Sequence, residues 1–537
     1  MKKEEEEEKE GPGVHPFRSK HCSDAMTFEE CELAILRHAV DKSDNRRKFK
    51  TAQDPLVRSM IVLVETFLRE HKDACLCYGG TAINNLLPVS KRFYDPTIDV
   101  PDYDVFTVDA VGMAKKMAQR FYDEGYTEVE AKAGVHFGTY KVFVNFLPVA
   151  DWTAMHPALF VALQDDALEI EGVRYAPPNF LRMSMFVELS RPQGNVARWE
   201  KVFKRMSLLN DAYPMKVPTL CRSLTIPKPV APTVLQTVRD VLIRRQVVFF
   251  GGGFALSLYE DYLDPRKKVE EPNDQTKQTK NKKKEKNKKK EKKKEKKRLF
   301  TDFDVLSHDL RGTADAVKHA LPSSLDVALV YHTAVDEIVP EHIEVLVNEV
   351  ALVTVYRPLS CHAYNKTMVD GQLVRVATID TMMSFYLAFL YSKNVHLQPA
   401  RILCMAATLF KIQQKNRLAQ KGLLKRYVLN CFGRNQSMED IRAEKAHRYE
   451  HLRSRRHSKA FEQWFLQYRP QQHYTRKKQR LGTKKPDEEK EKEKEKEKPL
   501  LHRRSPLYSQ TRRLDTSPVM SLGFSDWDND EEDEEEE

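Results

Sequence analysis

The chain repeats one pattern of strands, glycine turns and paired acids, and this internal repeat constrains its fold more than any other feature. The later copy keeps the order of the earlier one, although a lysine-rich insert separates its glycine turn from its acids. The matched segments are 75–87 with 247–259, 98–106 with 300–305, and 171–191 with 370–392. We therefore expect an α/β (α+β) protein of two related lobes in tandem.

Three carboxylates of the first copy are spaced as ligands of a metal site. Asp102 and Asp104 share one face of an extended strand, because successive strand side chains point to opposite sides. The apolar run 141–150 predicts a neighbouring strand that delivers Asp151 beside this pair. Mg²⁺ and Mn²⁺ prefer such oxygen ligands. The set predicts a nucleotidyl-transfer site with two metal ions roughly 3.5–4 Å apart.

A glycine turn precedes these acids. Gly79, Gly80 and Thr81 follow a short buried strand and open a helix, whose N-terminal amides would face the phosphates of a nucleoside triphosphate. Taken alone, a glycine pair is more often only a tight turn, and an Asp-x-Asp motif is more often a solvated loop. Their order within one stretch favours a catalytic interpretation.

The second copy is predicted to lack the third acid. When Val347 is aligned on Val144, the position that matches Asp151 is Thr354. An alternative register offers Glu349 or Glu344 instead. We expect a degenerate, non-catalytic lobe that packs on the first and helps to form an RNA channel.

Several phrases resemble a known family, the poly(A) polymerase catalytic subunits of nucleocytoplasmic large DNA viruses, of the African swine fever virus and mimivirus types. They are YGGTAINNLL, DVPDYDVF and VRYAPPNFLRMSMFVELSRP. The resemblance implies that Gly79, Gly80 and Thr81 hold the triphosphate and that Asp102, Asp104 and Asp151 hold Mg²⁺ or Mn²⁺. The implied activity is template-independent addition of AMP from ATP to mRNA 3′ ends, with release of pyrophosphate.

Other functions remain open at this stage. A terminal uridylyltransferase, a tRNA-end enzyme, or an oligoadenylate or cyclic-dinucleotide synthase would use the same acids. In a non-enzymatic RNA-binding processivity scaffold, the acid sites of both copies would be degenerate. Lys201 and Lys204, on the cationic face of a helix over 197–206, are candidate contacts for the triphosphate or RNA, and an ordinary solvated face is an equal alternative.

The resemblance also bears on partners and location. ATP and an RNA 3′ end are the expected partners, while a homodimer and association with viral transcription proteins remain open. The family implies the host cytoplasm, in viral factories, and the virion; the nucleus is also open. No apolar run approaches the roughly 20 residues that span a membrane, and MKKEEEEEKE lacks a signal-peptide core. We therefore expect a soluble intracellular protein with no membrane partner and with free cysteine thiols.

Composition shifts divide the chain. Residues 277–298 carry 15 Lys plus Arg and three Glu, more positive charge than the net +11 of the whole chain, so the rest is balanced. Such charge blocks are typically disordered. The predicted divisions are a charged N-terminus 1–29, a catalytic domain 30–213, a Pro-rich connection 214–232, a second domain 233–432 with the insert 267–298, a basic and aromatic segment 433–480, and a disordered acidic-ended tail 481–537.

Overall fold

The computed structural model describes residues 19–23, 26–216, 230–263, 302–336, 338–392 and 398–470. The predicted insert and tail lie outside these residues, as do most of the charged N-terminus and much of the Pro-rich connection. The described residues form two compact units. The smaller comprises positions up to Leu63 with Arg92–Pro101, and the larger comprises Val64–Lys91 with positions from Asp102 onward. The predicted domain boundaries stay a prediction.

The smaller unit is dominated by one long helix, α1 (Phe28–Gln53). Its start is a capping box, because Thr27 and Glu30 each accept a hydrogen bond from the other's backbone N–H, at 3.3 and 2.8 Å. A disulfide between Cys22 and Cys31 ties the preceding segment to the first turns of the helix.

The larger unit contains two eight-stranded mixed sheets. The strands of the first lobe, with one late addition, are β1 (Leu76–Tyr78), β2 (Tyr103–Thr107), β3 (Val129–Ala133), β4 (Thr139–Val144), β5 (Leu147–Ala154), β6 (Leu168–Ile170), β7 (Val173–Tyr175) and β16 (Gln467–Tyr468). Those of the second lobe are β8 (Val248–Gly251), β9 (Phe303–Leu306), β10 (Val327–His332), β11 (His342–Val347), β12 (Val350–Tyr356), β13 (His362–Val369), β14 (Gln372–Ala377) and β15 (Cys431–Phe432).

The remaining helices pack on these sheets or join them. They are α2 (Pro55–Glu70), α3 (Gly79–Leu86), α4 (Ala110–Asp123), α5 (Pro157–Asp165), α6 (Pro178–Leu189), α7 (Trp199–Ala212), α8 (Pro232–Arg244), α9 (Gly252–Glu260), α10 (Leu310–Ala320), α11 (Ile379–Phe389), α12 (Pro399–Lys415), α13 (Met438–Leu452) and α14 (Lys459–Phe465). No helix of the described ranges is both long and apolar enough to cross a membrane.

The two sheets confirm the predicted duplication. The strand order β3-β4-β5-β2-β1-β7-β6 of the first lobe recurs as β10-β11-β12-β9-β8-β14-β13 in the second. The hairpin turns also match: Asn145 and Asn348, which follow β4 and β11, both have a positive φ, of 50° and 49°. Helices α4 and α10 begin with the same cap, in which an aspartate accepts a hydrogen bond from a glycine N–H three residues later.

The lobes pack directly on each other. Helix α6 of the first lies against α11 of the second, and the Ala363 N–H donates to the Ser190 carbonyl at 2.9 Å. Phe180 and Tyr391 meet edge to face, with ring centroids 5.7 Å apart. All the residues of α11 are buried, which explains why this apolar stretch has no polar face in the sequence.

The C-terminal segment returns to the first lobe. Strand β16 adds to the edge of the first sheet by pairing with β3, and Trp464 of α14 is buried against Phe137, at a centroid distance of 4.3 Å. The Lys445 ammonium group donates to the Gly134 carbonyl at 2.6 Å. The described part of the predicted basic and aromatic segment therefore consists of helices and a short strand that pack on the first lobe.

The expectation of free thiols throughout is wrong. Cys361 and Cys431 are joined by a disulfide that links the start of β13 to β15, in addition to the Cys22–Cys31 bridge. Scattered cysteines gave no signal of this, because the pairing depends on two strands that are 70 residues apart in the chain. Cys75 and Cys77 are free and buried beside the glycine turn, and burial raises the pKa of both thiols.

Candidate functional site

Parallel pairing of β2 with β5 brings two of the predicted acids together. Asp104 and Asp151 are directly opposite each other in the register of these strands. Both side chains are buried, at 8% and 2% exposure. Phe106, two residues after Asp104 and therefore on the same face of β2, is a core residue that helps to bury this face. Strand pairing therefore holds the two carboxylates next to each other on the first sheet.

Asp102 lies immediately before β2 and is partly exposed. Its backbone carbonyl accepts a hydrogen bond from the Thr81 hydroxyl. Its charge is the second cause, after burial, of the raised pKa of Asp104, so the two carboxylates are near enough to repel each other. Thus all three predicted acids converge, and Thr81 is a buried residue that fixes the start of the acidic strand.

The glycine turn closes on the same carboxylates. Gly79 is the first residue of α3 and has a φ of +72°, a conformation that favours glycine. A Cβ atom at Gly79 would lie 2.0 Å from Asp104 Oδ2, so only glycine fits here. Gly80 follows it in the first turn of α3, where the backbone N–H groups have no helical partner.

The electrostatics of the pair are unfavourable without a cation. Burial raises the pKa of Asp104 well above its usual value, and the charges of Asp102 and Asp151 raise it further. Burial also raises the pKa of Asp151, while Lys141 lowers it. The Oδ1 atoms of Asp104 and Asp151 are buried and accept no hydrogen bond from any described residue. Such carboxylate oxygens fit a hard divalent cation, which prefers oxygen ligands.

Lys141 is a site residue that the motifs did not reveal. It is opposite Asp151 in the register of β4 and β5, and its ammonium group lies 2.9 Å from Asp151 Oδ2. The prediction of one strand over 141–150 is wrong, because a hairpin turn at Asn145 and Phe146 divides this run into β4 and β5. The antiparallel pairing of these two strands, which the prediction did not include, brings Lys141 to Asp151. Arg198 also acts on the site, as a positive charge that lowers the pKa of Asp104. Both cations offset part of the negative charge of the three acids.

The two predicted cationic contacts lie on α7. Lys204 is exposed and pairs with Glu200, also exposed, at 2.6 Å. Lys201 is exposed on the same helix. The role of both lysines in nucleotide binding stays a prediction.

The second lobe has a different set of residues at the equivalent place. Asp304 lies opposite Thr354 in the register of β9 and β12, as Asp104 lies opposite Asp151 in the first lobe. This register favours the alignment in which Thr354 replaces the third acid; Glu349 lies in the hairpin turn, and Glu344 lies on the neighbouring strand β11. The third carboxylate of the catalytic strand is therefore missing from this lobe.

Arg401 provides a positive charge for the remaining acids, Asp302 and Asp304. Arg401 Nη2 lies 2.7 Å from both carboxylate oxygens of Asp302, and the Gly253 N–H donates to Asp302 Oδ1 at 2.9 Å. Burial and the charge of Asp302 raise the pKa of Asp304 to about 7, and Arg401 opposes this shift. The guanidinium group thus supplies a positive charge to the Asp302 and Asp304 pair.

Comparison with known proteins agrees with this geometry. Residues 62–195 match the model of the family described as poly(A) polymerase catalytic subunit. A protein of Acanthamoeba polyphaga mimivirus, provisionally named a poly(A) polymerase catalytic subunit, is 29% identical over 176 residues, which cover 32% of this chain and 29% of that protein. One of African swine fever virus with the same name is 25% identical over 167 residues, covering 30% and 34%. The chain thus matches about a third of the length of these relatives.

The fold likeness extends farther than the sequence likeness. The crystal structure of the Megavirus polyadenylate synthase is similar with a TM-score of 0.65 at 15% identity, over 89% of this chain and 92% of that one. Both lobes therefore share the fold of that protein. The resemblance to viral poly(A) polymerase catalytic subunits that the motifs indicated is confirmed, with the sequence match centred on residues 62–195, the segment that holds Gly79, Asp104 and Asp151.

Proposed function

We propose that this chain is a template-independent poly(A) polymerase that transfers AMP from ATP to the 3′ ends of RNA. One observation carries the proposal: two buried carboxylates, Asp104 and Asp151, lie in register beside a glycine turn and have oxygens without a hydrogen-bond partner. This arrangement supports phosphoryl-group chemistry better than a structural role, because buried like charges destabilise a fold unless a cation joins them. The names of the matched viral proteins support adenylate as the transferred group.

Asp102, Asp104 and Asp151 are the proposed ligands of Mg²⁺ or Mn²⁺. When bound, such ions would activate the RNA 3′ hydroxyl and stabilise the departing pyrophosphate. The protein residues would supply positioning, which is the main requirement of nucleotidyl transfer. Asp104 and Asp151 are held by the paired strands, and Asp102 is held through the Thr81 hydroxyl bond to its carbonyl.

The triphosphate is proposed to lie at the start of α3. The absence of a side chain at Gly79 lets the Asp104 carboxylate lie against the start of α3, the helix N-terminus at which a phosphate would bind. Lys141 pairs with Asp151 and would keep the negative charge of the site within limits before substrate arrives. Lys201 and Lys204 remain the proposed contacts for the triphosphate or the RNA backbone.

The second lobe is proposed to be non-catalytic. Thr354 replaces the third acid, and the Arg401 guanidinium group occupies the carboxylate oxygens of Asp302. Because α11 of this lobe packs against α6 of the first, its proposed part in the enzyme is to support the catalytic lobe and to extend the surface for RNA. The viral relatives favour an infected cell as the place of action.

A primer-extension assay tests this function. The full-length protein is incubated with a short RNA, with Mg²⁺ or Mn²⁺, and with ATP, UTP, CTP or GTP in separate reactions, each with and without primer. We expect long products only in the reactions that contain both ATP and the RNA primer. Extension with UTP would indicate a uridylyltransferase, and primer-independent products would indicate a synthase. No reaction in any tube would overturn the enzymatic proposal.

A further inference from the structure

The second lobe holds a cluster of side chains that its nucleotidyltransferase ancestry does not explain. His332 lies at the end of the edge strand β10, directly opposite His342 of β11, and Glu344 is two residues farther along β11. Because side chains two residues apart share a face of a strand, all three lie on the same face of the sheet. One nitrogen of each histidine and one oxygen of the glutamate lie within 4.8 Å of one another.

We propose that His332, His342 and Glu344 bind a divalent cation of the Zn²⁺ class. Two imidazole nitrogens and one carboxylate oxygen form a ligand set that suits borderline transition-metal ions far better than Mg²⁺. Bonds of roughly 2.0–2.2 Å to a common ion place ligand atoms about 3–4 Å apart, so small rotations of these side chains would close the set. The inference does not depend on the proposed polymerase activity.

The hydrogen bonding of His342 prepares it as a ligand. Its Nδ1 lies 2.8 Å from the Pro340 carbonyl oxygen. Since a carbonyl only accepts, Nδ1 carries the proton, and Nε2 is left with the lone pair that a metal ion requires. A backbone carbonyl that orients the second ring nitrogen is the usual support of a metal-bound histidine.

The other two side chains face one another at the same place. His332 Nε2 lies 3.1 Å from Glu344 Oε2, and the glutamate side chain is only 2% exposed. The His332 side chain is 30% exposed, so an ion would reach the cluster from this side and keep one position for water. The two imidazole rings stack, with centroids 4.5 Å apart, so their nitrogens lie close together, and the more exposed His332 ring would tilt to direct its lone pair at a shared ion.

Comparison of the lobes shows that the cluster belongs to the second lobe alone. By strand register, Glu344 lies opposite Thr354 as Lys141 lies opposite Asp151. His342 accordingly occupies the position of Thr139, which is followed two residues later by Lys141. The first lobe thus carries a cation and a hydroxyl where the second carries a carboxylate and an imidazole. The first lobe therefore places a positive charge beside Asp151, whereas the second lobe places a negative charge beside Thr354.

The proposed ion would join the edge strand β10 to β11. Edge strands are held on one side only, and the cluster stands at the end of β10, where the chain leaves the sheet. A bound ion there would stabilise the second lobe against local opening, independently of the metal ions that the catalytic carboxylates would hold.

The test uses the full-length protein after chelator treatment, in buffer with excess Mg²⁺ to occupy oxygen-only sites. Zn²⁺ is added and followed by calorimetry and by thermal unfolding, and Co²⁺ is added in parallel because its absorption reports imidazole ligands. We expect one ion per chain and a raised unfolding temperature. His332→Gln and Glu344→Gln should each weaken Zn²⁺ binding by more than about 10-fold, which is the lower end of what loss of even a supporting group costs.

A matched control comes from an exposed histidine pair on α13. His447 and His451 are one helical turn apart, with Nε2 atoms separated by 3.1 Å, and are a competing Zn²⁺ site. His447→Gln should leave the high-affinity binding and its thermal shift unchanged. Binding that His447→Gln abolishes and His332→Gln preserves would overturn the proposal. So would an unfolding temperature that Zn²⁺ does not raise, since the cluster would then be only a histidine–glutamate pair. Because Glu344→Gln keeps the shape of the side chain, we expect this variant to fold, and its unfolding temperature without Zn²⁺ is measured before the titration.

Discussion

Arg401 is expected to act as a built-in counter-ion for the degenerate acid pair, and replacing it tests this idea. Its guanidinium group and the Asp302 carboxylate are 20% and 11% exposed, so the pair is largely but not fully buried. Arg401→Met removes the charge and keeps much of the side-chain length. Asp302 and Asp304 then remain close together without the Arg401 charge.

The size of the effect follows from the burial of the pair. Removal of one partner of a buried ion pair costs roughly 3–5 kcal/mol, and partial exposure places this case near 3 kcal/mol. The loss depends on pH in a definite direction. With Arg401 absent, the pKa of Asp304 in the folded protein lies farther above its unfolded value of about 3.9. Wherever the folded state binds one proton more than the unfolded state, the free energy of unfolding falls by about 1.4 kcal/mol per pH unit. The loss is therefore smallest near pH 4 and largest above pH 7, the region where Asp304 titrates at about 7 even with Arg401 present.

Denaturant unfolding of the wild type and the variant at pH 5 and pH 8 measures this difference. Mg²⁺ should partly restore the stability of Arg401→Met at pH 8, by about 1.4 kcal/mol if the ion is present at roughly ten times its dissociation constant. Arg401→Lys is the control, since it keeps the charge; it should lose about 1 kcal/mol and should not respond to Mg²⁺. Equal losses at both pH values, together with no response to Mg²⁺, would show that Arg401 serves packing only and would refute the reasoning.

Three further predictions concern the first lobe. Asp104→Asn should raise the stability of the metal-free protein by on the order of 1 kcal/mol at pH 7–8 and not near pH 4, because it removes a buried carboxyl whose folded-state pKa lies above its unfolded value; denaturant unfolding at both pH values checks this. Gly79→Ala should abolish primer extension and lower the unfolding temperature, since its Cβ would meet Asp104 Oδ2 at 2.0 Å, and an unchanged rate would contradict the close approach. Lys141→Met should destabilise the metal-free protein by roughly 3 kcal/mol because Asp151 loses its buried partner, and Mg²⁺ should recover part of this in calorimetry.

The repeat made the fold predictable from the sequence to an unusual degree. A glycine turn followed by an alternating acid pair requires a strand, a turn and a second strand in a fixed order, and both lobes show it. The alignment of Val347 on Val144 also holds in space, because Thr354 lies opposite Asp304 as Asp151 lies opposite Asp104. Local periodicity and turn chemistry carried this information.

The features that the sequence did not reveal depend on pairings between distant residues. Lys141 and Asp151 meet through strand register, and Arg401 reaches Asp302 from a helix 99 residues later in the chain. The Cys361–Cys431 disulfide likewise links the start of β13 to β15, a strand outside the order that the two lobes share. A single sequence gives no direct signal of such contacts, whereas a motif is contained within one short segment.

The central claim is that catalysis belongs to the first lobe, and equivalent substitutions in the two lobes test it most directly. Asp104→Asn and Asp304→Asn make the same chemical change at matching strand positions, one beside Asp151 and the other beside Thr354. The rate of ATP-dependent extension of an RNA primer should fall by more than about 1,000-fold in Asp104→Asn, as expected when several kcal/mol of transition-state stabilisation are lost. It should stay within about threefold of wild type in Asp304→Asn. Full activity of a folded Asp104→Asn protein, or equal loss in both variants, would contradict the account.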